Sequence, residues 1–255
     1  MPDYDQLYIG GQWVAPKTDK VLEVFSPATE ERVGVVPVAS PADIDNAVAV
    51  ARRAFDDGPW PHTTPAERGE ILAKAAKLIE ERSAEITAVL SSEMGQPPAT
   101  VGMMQQTPAL ATLNFYAGLA NDFEWEQTRT GIFGQARVLR EPVGVVAAVL
   151  AWNVPLFLAV NKLAPALLAG CTILLKPAPE SPLATNMIAE IFTEAGVPEG
   201  VISVLPGGAE TGEYLVSHAD IDKITFTGSS PVGRKIGAIA AQNLKRCSLE
   251  LGGKS

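Results

Sequence analysis

From residue 142 onward the chain keeps a single rhythm. Five apolar or β-branched runs of strand length, Val143 to Leu150, Thr172 to Leu175, Val201 to Leu205, Lys223 to Phe226 and Arg246 to Leu249, alternate with four helical stretches near 156–169, 182–195, 209–218 and 230–241. Runs this apolar need cover on both faces. A strand that returns beside its predecessor through a helix must also pair with it in parallel. The rhythm therefore predicts an α/β fold: a Rossmann-like doubly wound parallel sheet of about five strands with helices on both faces. Open sheets of this kind take ligands outside the carboxyl ends of their strands, so the residues closing each run are the first place to look for chemistry.

The preceding residues read differently. Leu7 to Ile9, Gln12 to Val14, Glu23 to Phe25 and Arg32 to Val36 are short β-rich runs, and Gly10-Gly11 between the first two is a hairpin signal. Ser40-Pro41-Ala42-Asp43 supplies an N-cap, a proline at the first helical position and an acid in the first turn, which starts a helix over about 41–56. Thr64-Pro65-Ala66-Glu67 is a capping box before Ile71, Leu72, Ala75, Leu78 and Ile79 at helical spacing, reaching about Arg82. A further helix runs toward Met94 with Gly95 as its C-cap, and another covers 98–120. Over 124–141 the composition turns to Thr, Arg, Gly, Phe and Val, which predicts a protruding extended hairpin. There is no internal repeat and no low-complexity linker.

Composition narrows the function. A net charge of -9 without a basic cluster argues against nucleic acid. The two cysteines, Cys171 and Cys247, are far apart in apolar settings, which fits a reducing cytoplasm and suggests neither a disulfide framework nor a zinc site. Met-Pro-Asp-Tyr-Asp-Gln lacks the pattern of a secretory signal. Val143 to Val160 is apolar enough to suggest a membrane span, but Asn153 and Pro155 interrupt it, and a buried strand followed by a turn and a helix explains it better. No membrane association is expected.

Thr227-Gly228-Ser229-Ser230-Pro231-Val232-Gly233 directly follows one strand and opens a helix, where free N–H groups and a positive dipole end suit a phosphate. Taken alone, such a Gly-Ser pair is more often a plain N-cap. The Gly-x-Gly-x-x-Gly fingerprint is missing after the first parallel strand. By themselves, Lys176 at a strand end reads as a solvated charge, Asn153 before a proline as an Asx turn, and Glu250 as a surface acid.

The segments Ala151-Trp152-Asn153-Val154-Pro155, Lys176-Pro177-Ala178-Pro179-Glu180-Ser181-Pro182, Phe226 to Gly233 and Glu250 to Ser255 resemble the aldehyde dehydrogenase superfamily in order and rough spacing. The resemblance covers the whole chain, from Gly10-Gly11 through Glu93-Met94-Gly95-Gln96-Pro97 to the end. It implies an NAD(P)-binding domain over 1–123 and 142–255, with 124–141 as the oligomerisation arm of a homo-oligomer, a dimer or tetramer in its full-length form. The reaction implied is attack of a cysteine thiolate on an aldehyde, hydride transfer to a nicotinamide, then thioester hydrolysis. In that chemistry Asn153 stabilises the oxyanion, Glu250 is the base and Lys162 lies near the proton path. The cofactor contacts implied are Leu150, Ala151, Trp152, Lys176, Pro177, Glu180, Gly208, Phe226, Gly228, Ser229, Val232, Leu251 and Gly252, with the pyrophosphate near Gly228 and Ser229, Lys176 beside the adenosine ribose hydroxyls, and Gly253 also close to the nicotinamide. Val154, Phe157, Leu158 and Asn161 fall near the substrate funnel and are equally plausible as core.

Two departures stand out. Ala151 replaces the family's proline, and Pro179 stands where many relatives carry an acid that disfavours a 2'-phosphate, with Glu180 one residue later. NAD is the expected cofactor, with NADP left open. In the family the nucleophilic cysteine lies downstream of the Glu-Leu-Gly-Gly segment, and this chain ends at Ser255. Cys171 reads as a small buried hydrophobe, and Cys247 points to the face opposite Glu250. The expectation is a cofactor-binding portion without the cysteine-bearing domain, inactive by itself. The alternative is a non-catalytic dinucleotide-binding module.

Overall fold

A computed structural model of the chain describes residues 3–253; Met1, Pro2 and the Lys254 and Ser255 of the terminal Glu-Leu-Gly-Gly-Lys-Ser segment lie outside the described residues. The chain opens with β1 (Leu7–Ile9) and β2 (Gln12–Val14), then β3 (Val21–Phe25) and β4 (Arg32–Pro37). Helices α1 (Pro41–Asp56), α2 (Pro65–Glu81), α3 (Ser83–Met94), α4 (Pro98–Val101) and α5 (Thr107–Asp122) follow, and the hairpin of β5 (Glu126–Gly131) and β6 (Gly134–Leu139) ends this part. The alternating part is β7 (Val145–Val149), α6 (Pro155–Ala169), β8 (Thr172–Lys176), α7 (Pro182–Ala195), β9 (Ile202–Val204), α8 (Ala209–Ser217), β10 (Lys223–Gly228), α9 (Ser230–Gln242) and β11 (Arg246–Leu251).

The predicted parallel strands are present, and the sheet is larger than the sequence implied. Its order is β11-β10-β7-β8-β9-β1-β2, with β7 to β11 mutually parallel and β1 running antiparallel to β9. The Gly10-Gly11 hairpin thus extends the edge of the same sheet rather than forming a separate element. Both glycines have positive φ, 59° and 85°, as a tight hairpin turn requires.

Side chains alternate across the sheet and bury both faces. Val146, Ala148, Leu150, Ile173 and Leu175 pack into the larger core with α6 and α7, behind which stand α2, α3 and α5. Val145, Ala147, Val149 and Leu174 pack into the second core with α1, α8 and α9. The apolar stretch Val143 to Val160 accordingly divides into β7, a turn and α6, and among the described residues no helix is long and apolar enough to cross a membrane.

The helix expected over 98–120 contains a five-residue π segment, Gly102–Gln106. Pro108 has no N–H to give to the carbonyl four residues back and its ring crowds that position, so the helix widens just before it, with the Thr107 N–H reaching the Gly102 carbonyl. The 124–141 segment forms its own two-stranded sheet, with Ile132 and Phe133 fully exposed at the tip.

Candidate active site

Three loops at the carboxyl ends of β7, β8 and β10 meet the end of β11. The β10 to α9 turn is the simplest. Gly228 closes β10 and Ser229 takes the cap position of α9 in extended conformation, yet no side chain caps the helix. Gly228 lets the Phe226 ring fold against the strand end, since a Cβ there would lie 2.4 Å from the ring. Gly233, one turn into α9, allows the helix to touch Leu251 of β11, whose methyl would meet a Cβ at 2.3 Å. The Gly252 N–H donates to the Gly228 carbonyl at 3.2 Å, so the end of β11 is tied to the α9 turn.

Beside this turn, α8 and α9 enclose a cleft of about 280 Å³ whose walls include Val149, Gly208, Gly212, Val216, Val232 and Ile236. Lys176 reaches it from the end of β8, with its stem against Gly212. Its ammonium donates to the Pro177 carbonyl at 2.7 Å, and burial pulls its pKa down to about 8, with Glu180 pushing the other way. Glu180 itself lines a different groove, together with Trp152, Phe25 and Met94. Pro179 borders both. Glu213 and Lys235, which sequence reasoning missed, also line the cleft; on helical segments no pattern distinguishes them from ordinary surface charges.

The β7 to α6 loop carries Ala151, Trp152 and Asn153. Asn153 is exposed, and its side-chain amide makes no hydrogen bond among the described residues. Its backbone carbonyl, in contrast, accepts from Gln96 at 2.9 Å. Gln96 in turn accepts from Gln105, whose own carbonyl takes the Leu156 N–H of α6 at 3.1 Å. Two glutamines from distant segments therefore hold the loop and leave the Asn153 amide free. Nothing in the sequence flagged Gln105, which sits buried within the π segment.

On the α6 side of the sheet, Lys162 donates to Thr225 of β10 at 3.0 Å. Burial lowers its pKa to about 8, opposed by the charge of Glu250. Glu250 lies opposite Thr227 in the parallel register and is exposed on the edge strand. Alternation places it on the Lys162 face, whereas Cys247 shares the α9 face with Leu249 and Leu251. Cys171 precedes β8, at the amino end of the sheet, and is 2% exposed; burial pushes its thiol pKa up. Burial raises the Cys247 thiol too.

The structure thus gathers Lys176, Gly208, Phe226, Gly228, Ser229 and Val232 around the cleft and turn, and Asn153, Lys162, Glu250, Leu251 and Gly252 along the adjoining strand ends. It sets Trp152 and Glu180 on the neighbouring groove. The donor set suits a dinucleotide: an uncapped helix N-terminus for phosphate, an apolar slot for a flat ring, and a lysine at their junction.

The family model described as "Aldehyde dehydrogenase family" matches residues 13–255. The chain is 42% identical over 254 residues to "Aldehyde dehydrogenase 1" of Tanacetum cinerariifolium, covering 99% of this chain and 51% of that protein. Among solved structures, a Mycobacterium tuberculosis aldehyde dehydrogenase complexed with NAD+ superposes with a TM-score of 0.97 at 58% identity, covering 99% of this chain and 52% of that one. A mutant aldehyde dehydrogenase C from Pseudomonas syringae, complexed with NAD+ and octanal, gives 0.94 at 37%, covering 99% and 51%. The chain spans about half the length of the curated relatives it matches.

Proposed function

The chain belongs to the aldehyde dehydrogenase family, and from that premise we propose that it supplies the cofactor site and part of the catalytic apparatus for NAD-dependent oxidation of an aldehyde to a carboxylic acid. The observation that carries this reading is the uncapped N-terminus of α9 opening beside an apolar cleft with Lys176 at its rim. Bound there, NAD would supply the hydride acceptor.

The chain's own groups fit the remaining chemistry. The free Asn153 amide, on a loop whose backbone Gln96 holds, is an available donor for the oxygen that gains charge when the aldehyde is attacked. Glu250, exposed at the strand end, is suited to take a proton from water in thioester hydrolysis. Lys162, held near a pKa of about 8 on the same face, is suited to pass that proton on. Neither cysteine fits the nucleophile: Cys171 lies at the wrong end of the sheet, Cys247 on the wrong face, and both thiols resist ionisation. The attacking thiolate in this reading comes from outside these 255 residues, which act alone as a dinucleotide-binding module.

NAD is the proposed cofactor. Pro179 borders the cleft where an acid would repel a 2'-phosphate, and Glu180 faces the neighbouring groove, so discrimination against NADP is weak. The β5–β6 hairpin, with Ile132 and Phe133 bare at its tip, is the proposed contact between copies of a homo-oligomer, and the two free cysteines suit a reducing cytoplasm.

The test is calorimetric titration of the 255-residue chain with NAD and NADP, together with reduced-nicotinamide formation over a panel of aldehydes. Binding of both cofactors without turnover is expected. Turnover that survives Cys171→Ala and Cys247→Ala exchange would leave the chemistry to a group other than a thiolate, and turnover lost with one of them would make that cysteine the nucleophile.

A further inference from the structure

Helix α7 begins without a cap of its own. Ser181 occupies the cap position, but its side chain makes no capping bond and its hydroxyl is buried without a partner among the described residues. Pro182, the first helical residue, has no N–H. The next two donors, Leu183 and Ala184, give their N–H groups to the two carboxylate oxygens of Glu93, at 2.6 and 3.1 Å. Glu93 lies 90 and 91 residues earlier, near the end of α3, and is 2% exposed.

A buried carboxylate without a cationic partner is costly to keep. Burial drives the Glu93 pKa up to about 8, although both N–H bonds work against that shift. The positive end of α7 and its two N–H donors, which have no partner within the helix, oppose that shift without cancelling it. The segment so gripped ends the loop that starts at Lys176. At its other end the loop is fixed to the sheet, where the Leu150 N–H donates to the Lys176 carbonyl at 3.0 Å. Within the loop, the Lys176 ammonium is held by the Pro177 carbonyl, so the loop's path sets where that charge stands in the cleft.

We propose that Glu93 is a positioning residue of the cofactor site: its carboxyl group accepts the first free N–H groups of α7, fixes the loop from Lys176 to Ser181, and thereby places the Lys176 ammonium against the adenosine ribose. This rests on the dinucleotide reading above. Because the grip acts on the adenosine half, its loss should weaken ligands that carry that half and leave the nicotinamide half untouched.

The experiment uses the full chain and its E93Q and E93A variants, with NAD, ADP-ribose and nicotinamide mononucleotide titrated separately and amide hydrogen exchange followed over residues 177–184. Glu93→Gln keeps the shape and one acceptor and is the variant that decides if Glu93→Ala fails to fold. Expected in E93Q are faster exchange of the Leu183 and Ala184 amides, about tenfold weaker binding of both NAD and ADP-ribose, and unchanged mononucleotide binding, the scale of a sub-ångström misplacement of one charged contact. Unchanged exchange would overturn the grip itself, whatever the chain binds. Faster exchange with unaltered ADP-ribose affinity, or an equal loss for the mononucleotide, would reduce Glu93 to a structural role. Failure of the wild-type chain to bind NAD or ADP-ribose would overturn the dinucleotide reading, and with it the positioning role, while the exchange data would still report on the grip.

Discussion

Helices α1 and α2 of the N-terminal part and the helices that open toward the cleft begin in opposite ways. Helices α1 and α2 cap themselves: Ser40 and Asp43 close one capping box, Thr64 and Glu67 the other, all within four residues of sequence. Helices α6 and α7 borrow their acceptors from far away, Gln105 for Leu156 and Glu93 for Leu183 and Ala184. Helix α9 has no side-chain cap. A local cap is cheap and self-sufficient, and it occupies the N–H groups that would otherwise meet a ligand. Around the cleft the donors are either supplied from a distance, which ties the loops to the scaffold, or left open.

The largest effect expected from breaking that contrast is at Glu93. Glu93→Ala leaves two buried N–H groups without partners and should cost about 3 kcal/mol in chemical denaturation; a loss no greater than that of a local cap would erase the distinction. The same residue gives a pH signature. Its folded pKa is raised to about 8, so the folded chain retains a proton that the unfolded chain releases at the ordinary carboxylate pKa. Its stabilising contribution is full at acid pH and falls as pH rises through about 8, and Glu93→Gln should flatten that decline in a series of denaturation curves. Ser229→Glu sharpens the case from the other side. A carboxylate at the open start of α9 should raise thermal stability slightly, by about 0.5 kcal/mol, while weakening NAD binding about tenfold or more by occupying the donors and repelling phosphate. The smallest effect expected at the cofactor site is that of Thr64→Ala, which should cost about 1 kcal/mol of stability and leave cofactor affinity unchanged in the same titration.

The same contrast marks what the sequence made legible. Strand and helix alternation, capping boxes, the Gly10-Gly11 turn and the Gly228-Ser229 turn depend on neighbours in the chain, and each stands where the local pattern indicated. The addition of β1 and β2 to the main sheet and the ties that Gln96, Gln105 and Glu93 make depend on residues dozens of positions apart, for which local periodicity carries no signal; the widening before Pro108 has a local cause, the proline itself, which the reading of 98–120 as one helix did not use. The positions of Asn153, Lys176 and Glu250 were legible through their motifs, but the reasons they stay there were not.

The most direct measurement is calorimetric titration of the 255-residue chain with ADP-ribose, in wild type and in Ser229→Glu. The account predicts one saturable site in the wild type, weakened about tenfold or more in the variant, with the fold intact by circular dichroism. Saturable binding that persists unchanged in Ser229→Glu would place the ligand away from the start of α9 and contradict the cofactor site described here.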